Sequence, residues 1–270
     1  MAEELLRILV LGAHPDDCDY AAGGTALLFA RLGHKVRFVS LTNGDAGHHL
    51  IGGVELARRR YAETQASARI AGVEYLVLGN HDGELLPSLE NRRQVITLIR
   101  EFKADLVLTH RADEYHPDHR AVGVLVQDAS YLVGVPNIVP LVPHLQRQPV
   151  ICHFADHHGS LPPSNDLVVV DISAVMELKW DMLHCHTSQV YEWMPYNQDQ
   201  SAEVPANEVE RRAWLPVFLG GLNDAERLRG PLATTYGTER ANSINYAEAF
   251  EACLYGARLA AENRARLWPF

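Results

Sequence analysis

The chain has no excess of basic residues. Its 270 residues include 24 lysines and arginines against 34 aspartates and glutamates, which gives a formal net charge of -10. A general nucleic-acid binder or a binder of anionic membranes needs a basic surface that releases counterions, so the composition argues against both classes. A small anionic substrate held by a local arginine is still compatible with this charge.

Long apolar stretches are also missing. No stretch approaches the roughly 18 consecutive apolar residues of a membrane-spanning helix. Glu3 and Glu4 precede the first apolar run, which is too short for the core of a signal peptide. These absences predict a cytoplasmic protein without a membrane partner.

Cysteines are few, and the glycine motif of dinucleotide-binding proteins is absent. The four cysteines have no C-x-x-C spacing, which favours reduced thiols in the cytosol. The turn after the first predicted strand lacks G-x-G-x-x-G. Gly23 and Gly24 lie too far into the following helix to hold a pyrophosphate, so the sequence opposes a dehydrogenase.

The first half of the chain alternates short apolar runs with helical patterns. The predicted strands are Arg7–Leu11, Val36–Leu41, Tyr75–Leu78, Asp105–Thr109, Val150–Phe154 and Leu167–Val170. The predicted helices are Ala21–Leu32, Val54–Ile70, Leu89–Phe102, Ala121–Tyr131, Ser173–Cys185 with Ser173 as N-cap, and Tyr246–Ala261. This order predicts an α/β fold with a mostly parallel sheet and helices on both faces.

One domain is predicted over residues 1–270. Residues 187–240 are rich in polar and aromatic residues and prolines, so we expect an irregular insertion or a lid there. Trp193 and Trp214, in this segment, could stack on a sugar, although a core or subunit contact is the default for tryptophan. The tail ending in Phe270 could dock on a neighbouring copy, which leaves a homo-oligomer open.

Two polar clusters each follow a predicted strand. His14-Pro15-Asp16-Asp17 comes directly after the first strand, and His116-Pro117-Asp118-His119 follows the fourth. In a doubly wound sheet with strand order 3-2-1-4, the first and fourth strands are neighbours. Ligands bind outside the carboxyl ends of such strands. We therefore predict one site built from both clusters.

His14, Asp17 and His119 are the candidate metal ligands. Catalytic zinc sites use three such ligands and keep a fourth position for water. Nitrogen and oxygen donors without thiolate also suit Fe²⁺, Co²⁺ or Mn²⁺.

Three neighbouring residues are candidates for supporting roles. Asp16 could accept a proton from water, and His116 could stabilise an oxyanion or protonate a leaving amine. Asp118 could orient one of the histidines.

Simpler explanations exist for each cluster alone. The first could be a turn with an aspartate N-cap, and the second could be a helix cap. A metal- or sugar-binding protein without turnover is also possible, but such a binder has no need of a free base such as Asp16 beside its ligands. Histidines outside the clusters are ambiguous. His48 and His49 could face the cleft, although a solvated loop is the default. His153, His157 and His158 could line the site or form a second metal site.

At this point the chain resembles the PIG-L/LmbE-like family of metal-dependent deacetylases. The resemblance spans most of the chain and is densest before residue 125. The matching motifs are Ala13–Asp17, Gly23-Gly24-Thr25, Leu41–Gly47, Arg60-x-x-Glu63, Asp82-Gly83, His116–Arg120, His186–Gln189 and Glu248-Ala249-Phe250. The chain departs from the family pattern at Cys18, where a glutamate is usual, and this thiol could make the site sensitive to oxidation.

The resemblance implies a fold, an activity and roles for residues. The fold would be Rossmann-like, and the activity would be hydrolysis of a small N-acylated molecule, often an N-acetylated amino sugar. His14, Asp17 and His119 would bind zinc, Asp16 would be the general base, and His116 would stabilise charge or act as an acid. Arg60 would contact substrate and His186 could reach the pocket, although Arg60 by composition alone would be a solvated helix residue. Another N-acyl or amide substrate at the same site is the alternative.

Overall fold

A computed structural model describes residues 5–155 and 167–270. Its strands are β1 (Arg7–Gly12), β2 (Lys35–Thr42), β3 (Glu74–Asn80), β4 (Leu106–Thr109), β5 (Val150–Phe154), β6 (Leu167–Asp171) and β7 (Ala247–Gly256). The α-helices are α1 (Asp17–Arg31), α2 (Gly53–Ala71), α3 (Leu89–Phe102), α4 (Pro117–Leu132), α5 (Met176–His184), α6 (Met194–Asn197), α7 (Glu208–Phe218), α8 (Arg229–Tyr236), α9 (Thr238–Ser243) and α10 (Ala261–Leu267). His157 and His158 lie outside the described residues.

The strands form one seven-stranded sheet in the order β3-β2-β1-β4-β5-β7-β6. Strands β1 to β5 are parallel, and β7 runs antiparallel between β5 and β6. The predicted order 3-2-1-4 is confirmed, and so is the mostly parallel α/β fold. The carboxyl ends of β1 and β4 therefore lie side by side.

Apolar side chains of β1 alternate between two core layers. Ile8 and Val10 pack with α1, α2 and α5 on one face of the sheet. Leu9 and Leu11 pack with α3 and α4 on the other face. Both faces of the central strands are therefore buried, which is why their sequences are continuously apolar.

The predicted closing helix Tyr246–Ala261 is wrong. Most of this segment is strand β7, although its alanines and glutamates favour a helix. The strand inserts between β5 and β6, so both of its edges find hydrogen-bond partners and Phe250 is fully buried. Tertiary pairing overrides local propensity here.

Two further expectations need correction. Ser173 does not cap an α-helix: it begins a short 3-10 turn before α5, and its hydroxyl oxygen accepts the backbone N–H groups of Asn245 and Tyr246. The segment 187–240, expected to be irregular, is largely helical. It begins with a π-helix, Gln189–Trp193, that continues directly into α6.

No helix in the described part of the chain is long and apolar enough to cross a membrane.

Candidate metal centre and substrate cavity

The turn after β1 fixes His14 and Asp17 against the backbone. Asp17 Oδ2 accepts hydrogen bonds from the N–H groups of Ala13 at 2.8 Å and His14 at 2.7 Å. His110, the first residue after β4, places its Nε2 atom 3.0 Å from the same oxygen. The second oxygen, Asp17 Oδ1, lies 3.5 Å from His119 Nε2. One residue thus closes the turn and also joins the two sequence clusters.

His116 is the N-cap of α4, and Pro117 occupies the first turn of that helix. The Nδ1 atom of His116 accepts the backbone N–H of Asp118 at 3.2 Å, so the helix-cap interpretation of this cluster is confirmed. Because Nδ1 accepts this bond, the proton of a neutral His116 ring lies on Nε2. The ring meets His14 edge-on, with 4.6 Å between centroids.

The three predicted ligands come together. His14 Nδ1 lies 3.2 Å from His119 Nε2 and 3.4 Å from Asp17 Oδ2. His119 Nε2 lies 3.5 Å from Asp17 Oδ1. Donor atoms of a tetrahedral zinc site, about 2.0–2.1 Å from the ion, are separated from one another by about 3.3 Å. The chemistry and spacing of the three side chains therefore fit a small divalent cation.

Carboxylates outside this triplet orient both histidines. His14 Nε2 lies 3.1 Å from Asp82 Oδ1 and 3.4 Å from Asp118 Oδ2, within ion-pair distance. His119 Nδ1 lies 3.1 Å from Glu114 Oε2. A carboxylate on the far nitrogen of a histidine fixes the ring and leaves the near nitrogen free to bind metal. Asp118 thus lies where an orienting residue is expected.

Charges in this cluster are strongly coupled. Burial raises the pKa of Asp17, but nearby histidines, led by His119, hold it well below its usual value. Burial lowers the pKa of His14, but Asp17 and the other carboxylates raise it well above its usual value. The buried carboxylates thus create a negative potential that favours positive charge at this point.

Asp16 takes no part in the triplet. It occupies the N-cap position of α1 but makes no cap hydrogen bond, so the simpler turn interpretation does not account for its side chain. Its Oδ1 atom lies 3.1 Å from Arg60 Nη2. Burial raises the pKa of Asp16, and the Arg60 guanidinium opposes this shift. The result is a buried carboxylate beside the candidate metal ligands.

Arg60 is not the solvated helix residue that composition alone would predict. Its side chain is only 2% exposed, and Nη1 lies 3.5 Å from Asp82 Oδ2. Gly44 makes room for it: this residue has a φ of +70°, and a Cβ added there would lie 2.6 Å from Arg60 Nη1. The loop after β2 therefore needs glycine at this position.

His186 does not reach the cavity. It is fully buried, and its Nε2 atom lies 3.3 Å from Asp19 Oδ2. A substrate has no access to it, so its predicted role in substrate binding is not supported by its position. Cys18 is likewise fully buried, its thiol donates to the backbone oxygen atoms of Val10 and Val39, and burial raises its pKa. A thiol in this state is poorly reactive, which argues against oxidation sensitivity.

The site opens into a cavity of about 550 Å³, within the range of small-molecule sites. Its floor carries the titratable groups, and α1, the end of β5 and the segment after α5 supply walls that are partly apolar. The lining residues of these walls include Tyr20, Ala21, Phe154, Gln189, Trp193, Met194, Asn197 and Leu222.

Three side chains of the site received no role from the sequence: His110, Glu114, and Asp82, which appeared there only within the matching Asp82-Gly83 motif. Asp82 and His110 lie just after the ends of β3 and β4. The rule that parallel sheets bind ligands at the carboxyl ends of strands could have identified them. Glu114 has no comparable signal, because its contact with His119 depends on the path of the loop before α4.

The described residues contain three overlapping groups of potential metal ligands. They are His14/His116/His119, Asp17/His110/His119 and His14/Asp82/Asp118. All share a residue with the predicted triplet, so they belong to one centre. His153 is not part of it: its Nδ1 atom contacts the backbone oxygen of His110 at 2.9 Å.

The chain is similar to known deacetylases in sequence and in fold. The family described as "PIG-L: GlcNAc-PI de-N-acetylase" matches residues 9–130. Diacetylchitobiose deacetylase from Thermococcus kodakarensis is 33% identical over 208 residues, which cover 72% of this chain and 75% of that protein. The structure of N,N'-diacetylchitobiose deacetylase from Pyrococcus horikoshii, complexed with its inhibitor MPG, superposes with a TM-score of 0.66 at 27% identity. That match covers 91% of this chain and 83% of the other.

A different activity occurs on the same fold. The structure of 4-carboxy-2-hydroxymuconate hydratase from Pseudomonas putida superposes with a TM-score of 0.67 at 20% identity, covering 95% of this chain and 99% of the other. This likeness shows the shared fold alone.

Proposed function

The chain belongs to the PIG-L/LmbE-like deacetylase family, and from this premise we propose that it is a zinc-dependent N-deacetylase of small N-acetylated amino sugars. Its relatives include diacetylchitobiose deacetylase, at 33% identity, and a probable N-acetyl-α-D-glucosaminyl L-malate deacetylase, at 26% identity, although a 4-oxalmesaconate hydratase also matches at 24% identity. The observation that carries the proposal is the separation of Asp16 from the metal triplet. A buried carboxylate that is held by Arg60, and is not needed as a ligand, is available as a base.

His14, Asp17 and His119 would hold the metal. A bound divalent ion would supply Lewis-acid activation of water and of the acyl carbonyl. Fe²⁺, Co²⁺ and Mn²⁺ suit the same donors, and the metal preference is part of the test.

Asp16 would accept the proton that water loses as its oxygen attacks the acyl carbon. Arg60 holds this carboxylate in place and offsets part of the cost of burying its charge. His116, with Nδ1 engaged by the α4 backbone, can direct an Nε2–H toward the oxygen of the tetrahedral intermediate. The C–N bond would then break as the leaving nitrogen takes the proton that Asp16 had accepted, which regenerates the base and gives acetate and the amine as products.

Two alternatives to this function use the same residues. Another N-acyl or amide bond could be cleaved by the same groups, because the floor of the cavity acts on the acyl carbon and not on the rest of the substrate. A binding protein without turnover would need the metal triplet but not Asp16.

The direct experiment measures acetate release and metal content together. The protein is stripped with a chelator, reloaded separately with Zn²⁺, Fe²⁺, Co²⁺ or Mn²⁺, and given a panel of N-acetylated sugars and simple amides. We expect metal-dependent acetate release from amino sugars, and Asp16→Asn should retain metal while losing hydrolysis. Tight metal binding without acetate release from any substrate would contradict the proposal.

A further inference from the structure

Four rings form a near-parallel column that ends in the cavity wall. His48 and His49 are stacked with 4.7 Å between centroids and 24° between planes, and His49 and Tyr196 with 4.0 Å and 7°. Tyr196 and Trp193 continue the series at 6.0 Å and 19°. We call these four residues the ring column. Trp193 is its last ring and lines the cavity.

Two rings of the column, Trp193 and Tyr196, lie on one helical segment, while His48 and His49 lie in the loop between β2 and α2. Gln189–Asn197, here called the wall helix, joins the π-helix to α6 and places Gln189, Trp193, Met194 and Asn197 along the cavity. One-turn π segments are frequent at functional sites, because they change which side chains share a face.

Charged contacts hold the wall helix at its start and its middle. Glu63, buried on α2, accepts the backbone N–H of Ser188 at 2.8 Å and the hydroxyl of Thr187 at 2.8 Å. Glu192 pairs with Arg59 at 2.5 Å and with His48 at 2.9 Å. The first ring of the column and its supporting helix are thus tied to the same carboxylate.

His48 is therefore not part of a solvated loop. Its side chain is only 2% exposed. A histidine that is buried, paired with a carboxylate and stacked on a second histidine makes the column rigid. A rigid flat surface binds a ring at low cost in conformational entropy.

We propose that Trp193 is the platform for a second sugar ring, next to the ring that carries the N-acetyl group. In the part of the chain that the structure describes, Tyr196 is the one aromatic ring stacked on Trp193. The cavity of about 550 Å³ has room beyond the metal centre for more than the reacting group. The apolar C–H face of a pyranose packs against such a surface.

The polar groups near the platform favour a sugar over a planar aryl group. Asn197 lies one turn after Trp193 on the same helix, and Gln189 lies one turn before it; both line the cavity. The Nε2 atom of Gln189 already donates to the backbone oxygen of Gly47 at 3.0 Å and to Ser188 Oγ at 3.1 Å, so Asn197 is the amide that remains for the ligand. A sugar hydroxyl can pair with the Asn197 amide, whereas an aryl group would leave that amide desolvated without a partner. This assignment rests on the proposed deacetylase function and adds its substrate class, a disaccharide or longer glycoside.

The test compares one-ring and two-ring substrates on the metal-loaded protein. N-acetylglucosamine is the one-ring substrate, and disaccharides that carry a single N-acetylglucosamine at either end are the two-ring substrates. We expect a lower KM for a disaccharide. Trp193→Ala should raise that KM by roughly 3- to 10-fold, the range for loss of one aromatic contact, with kcat nearly unchanged. The KM for N-acetylglucosamine should not change.

Two variants control for folding and for the loss of a tryptophan. Trp193→Phe should keep most of the disaccharide preference because it keeps a flat ring. Trp214→Phe changes a tryptophan that stacks on Phe218 outside the cavity lining, and should leave both KM values as in the wild type. The proposal would be overturned if Trp193→Ala raised the KM of N-acetylglucosamine and of the disaccharide by the same factor.

A second set of variants tests whether Glu192 positions the ring column through its ion pairs with Arg59 and His48. Glu192→Ala removes the tie to Arg59 and His48 and should raise the disaccharide KM in the same direction as Trp193→Ala, while Glu192→Gln should restore part of it. The exposed Glu203→Ala serves as control. No effect of Glu192→Ala would contradict the rigid column.

Binding without turnover separates this proposal from the proposed function. Calorimetric titration with the deacetylated disaccharide product should show weaker binding to Trp193→Ala than to Trp214→Phe. If no sugar releases acetate but this difference is present, the deacetylase function fails and the platform stands. A different result would contradict the sugar platform: acetate is released, but Trp193→Ala raises the KM of an aryl N-acetylglucosaminide and leaves the KM of a disaccharide unchanged.

Discussion

Two buried clusters of charge contact α1, one along its middle and one at its first residue, Asp17, and they are built in different ways. In the first, Lys179 and Glu248 are fully buried and lie 2.6 Å apart. Lys179 Nζ also donates to the backbone oxygen of Tyr20 and to Asn223 Oδ1, and the two oxygens of Glu248 accept the N–H groups of Gly24 and Thr25. Every donor and acceptor of this ion pair is used within the protein.

The candidate metal centre is arranged differently. Its carboxylates and histidines face one another across 3.0–3.5 Å and open into a cavity. Arg60 is the cation paired with Asp16, while the donors of His14, Asp17 and His119 converge on one point. An ion pair whose groups find their partners within the protein indicates a structural role, whereas histidine and carboxylate donors that converge beside a cavity indicate a site for a ligand.

The largest expected effect comes from removing a ligand of the metal centre. His14→Ala and His119→Ala should lose most of the bound metal and reduce hydrolysis by roughly 10⁴-fold or more, since both activation of water and charge stabilisation depend on the ion. Metal analysis and acetate release measure the two effects. His144→Ala, outside the centre, is the control. Wild-type metal content in either ligand variant would place the site elsewhere.

Asp16→Asn should reduce kcat by roughly 10²- to 10⁴-fold, the usual contribution of a general base. The amide oxygen can still accept a bond from Arg60, so the fold and the metal content should be retained. Steady-state kinetics with metal analysis tests this. Unchanged hydrolysis would remove Asp16 from the mechanism and make the metal centre resemble a binding site.

Changes to the Lys179–Glu248 ion pair should alter the stability of the fold and not the hydrolysis rate. Lys179→Met leaves Glu248 buried without its cation and should lower the free energy of unfolding by about 3–5 kcal/mol, measured by urea denaturation. Adding Glu248→Gln should restore part of the loss. Lys35→Met, on the exposed first residue of β2, is the matched control. A loss no larger than that of the control would mean that the pair contributes little.

The smallest effect is expected at the rim of the metal centre. Glu114→Ala removes the partner of His119 Nδ1 and should weaken metal affinity by about 10- to 100-fold. A competition titration with a chelating dye measures it, and the exposed neighbour Asp113→Ala should be neutral. An unchanged affinity would show that the α4 backbone alone orients His119.

The predictable part of the fold is the part in which local and tertiary preferences agree. Strands β1 to β5 read as buried runs bounded by helical patterns, and parallel pairing follows from that alternation. Strand β7 shows the limit, because its alanines and glutamates favour a helix and its pairing partners are distant in sequence. Glu248, which looks like a helix residue, is tolerated in a central strand because Lys179 meets it there.

The residues of the site also fall into those that the sequence could predict and those that it could not. His14, Asp17 and His119 could be named because residue type and position at strand ends carry a signal. His186 was assigned to the substrate through its motif, yet it is buried against Asp19, and no local pattern distinguishes these outcomes. The wall helix could not be predicted from the sequence either. Its π segment and its hydrogen bonds and ion pairs with Glu63 and Arg59 depend on how α2 packs.

Residue pattern alone predicts the doubly wound half of the sheet and the donors of one candidate metal centre, because short-range pattern and ligand chemistry are properties of residues. The tertiary structure decided which carboxylates stay off the ligand triplet, which histidines face the cavity, and that an alanine-rich segment pairs as a strand. Those outcomes depend on distances between residues far apart in the chain. Burial and charge there are set by neighbours that no local pattern identifies.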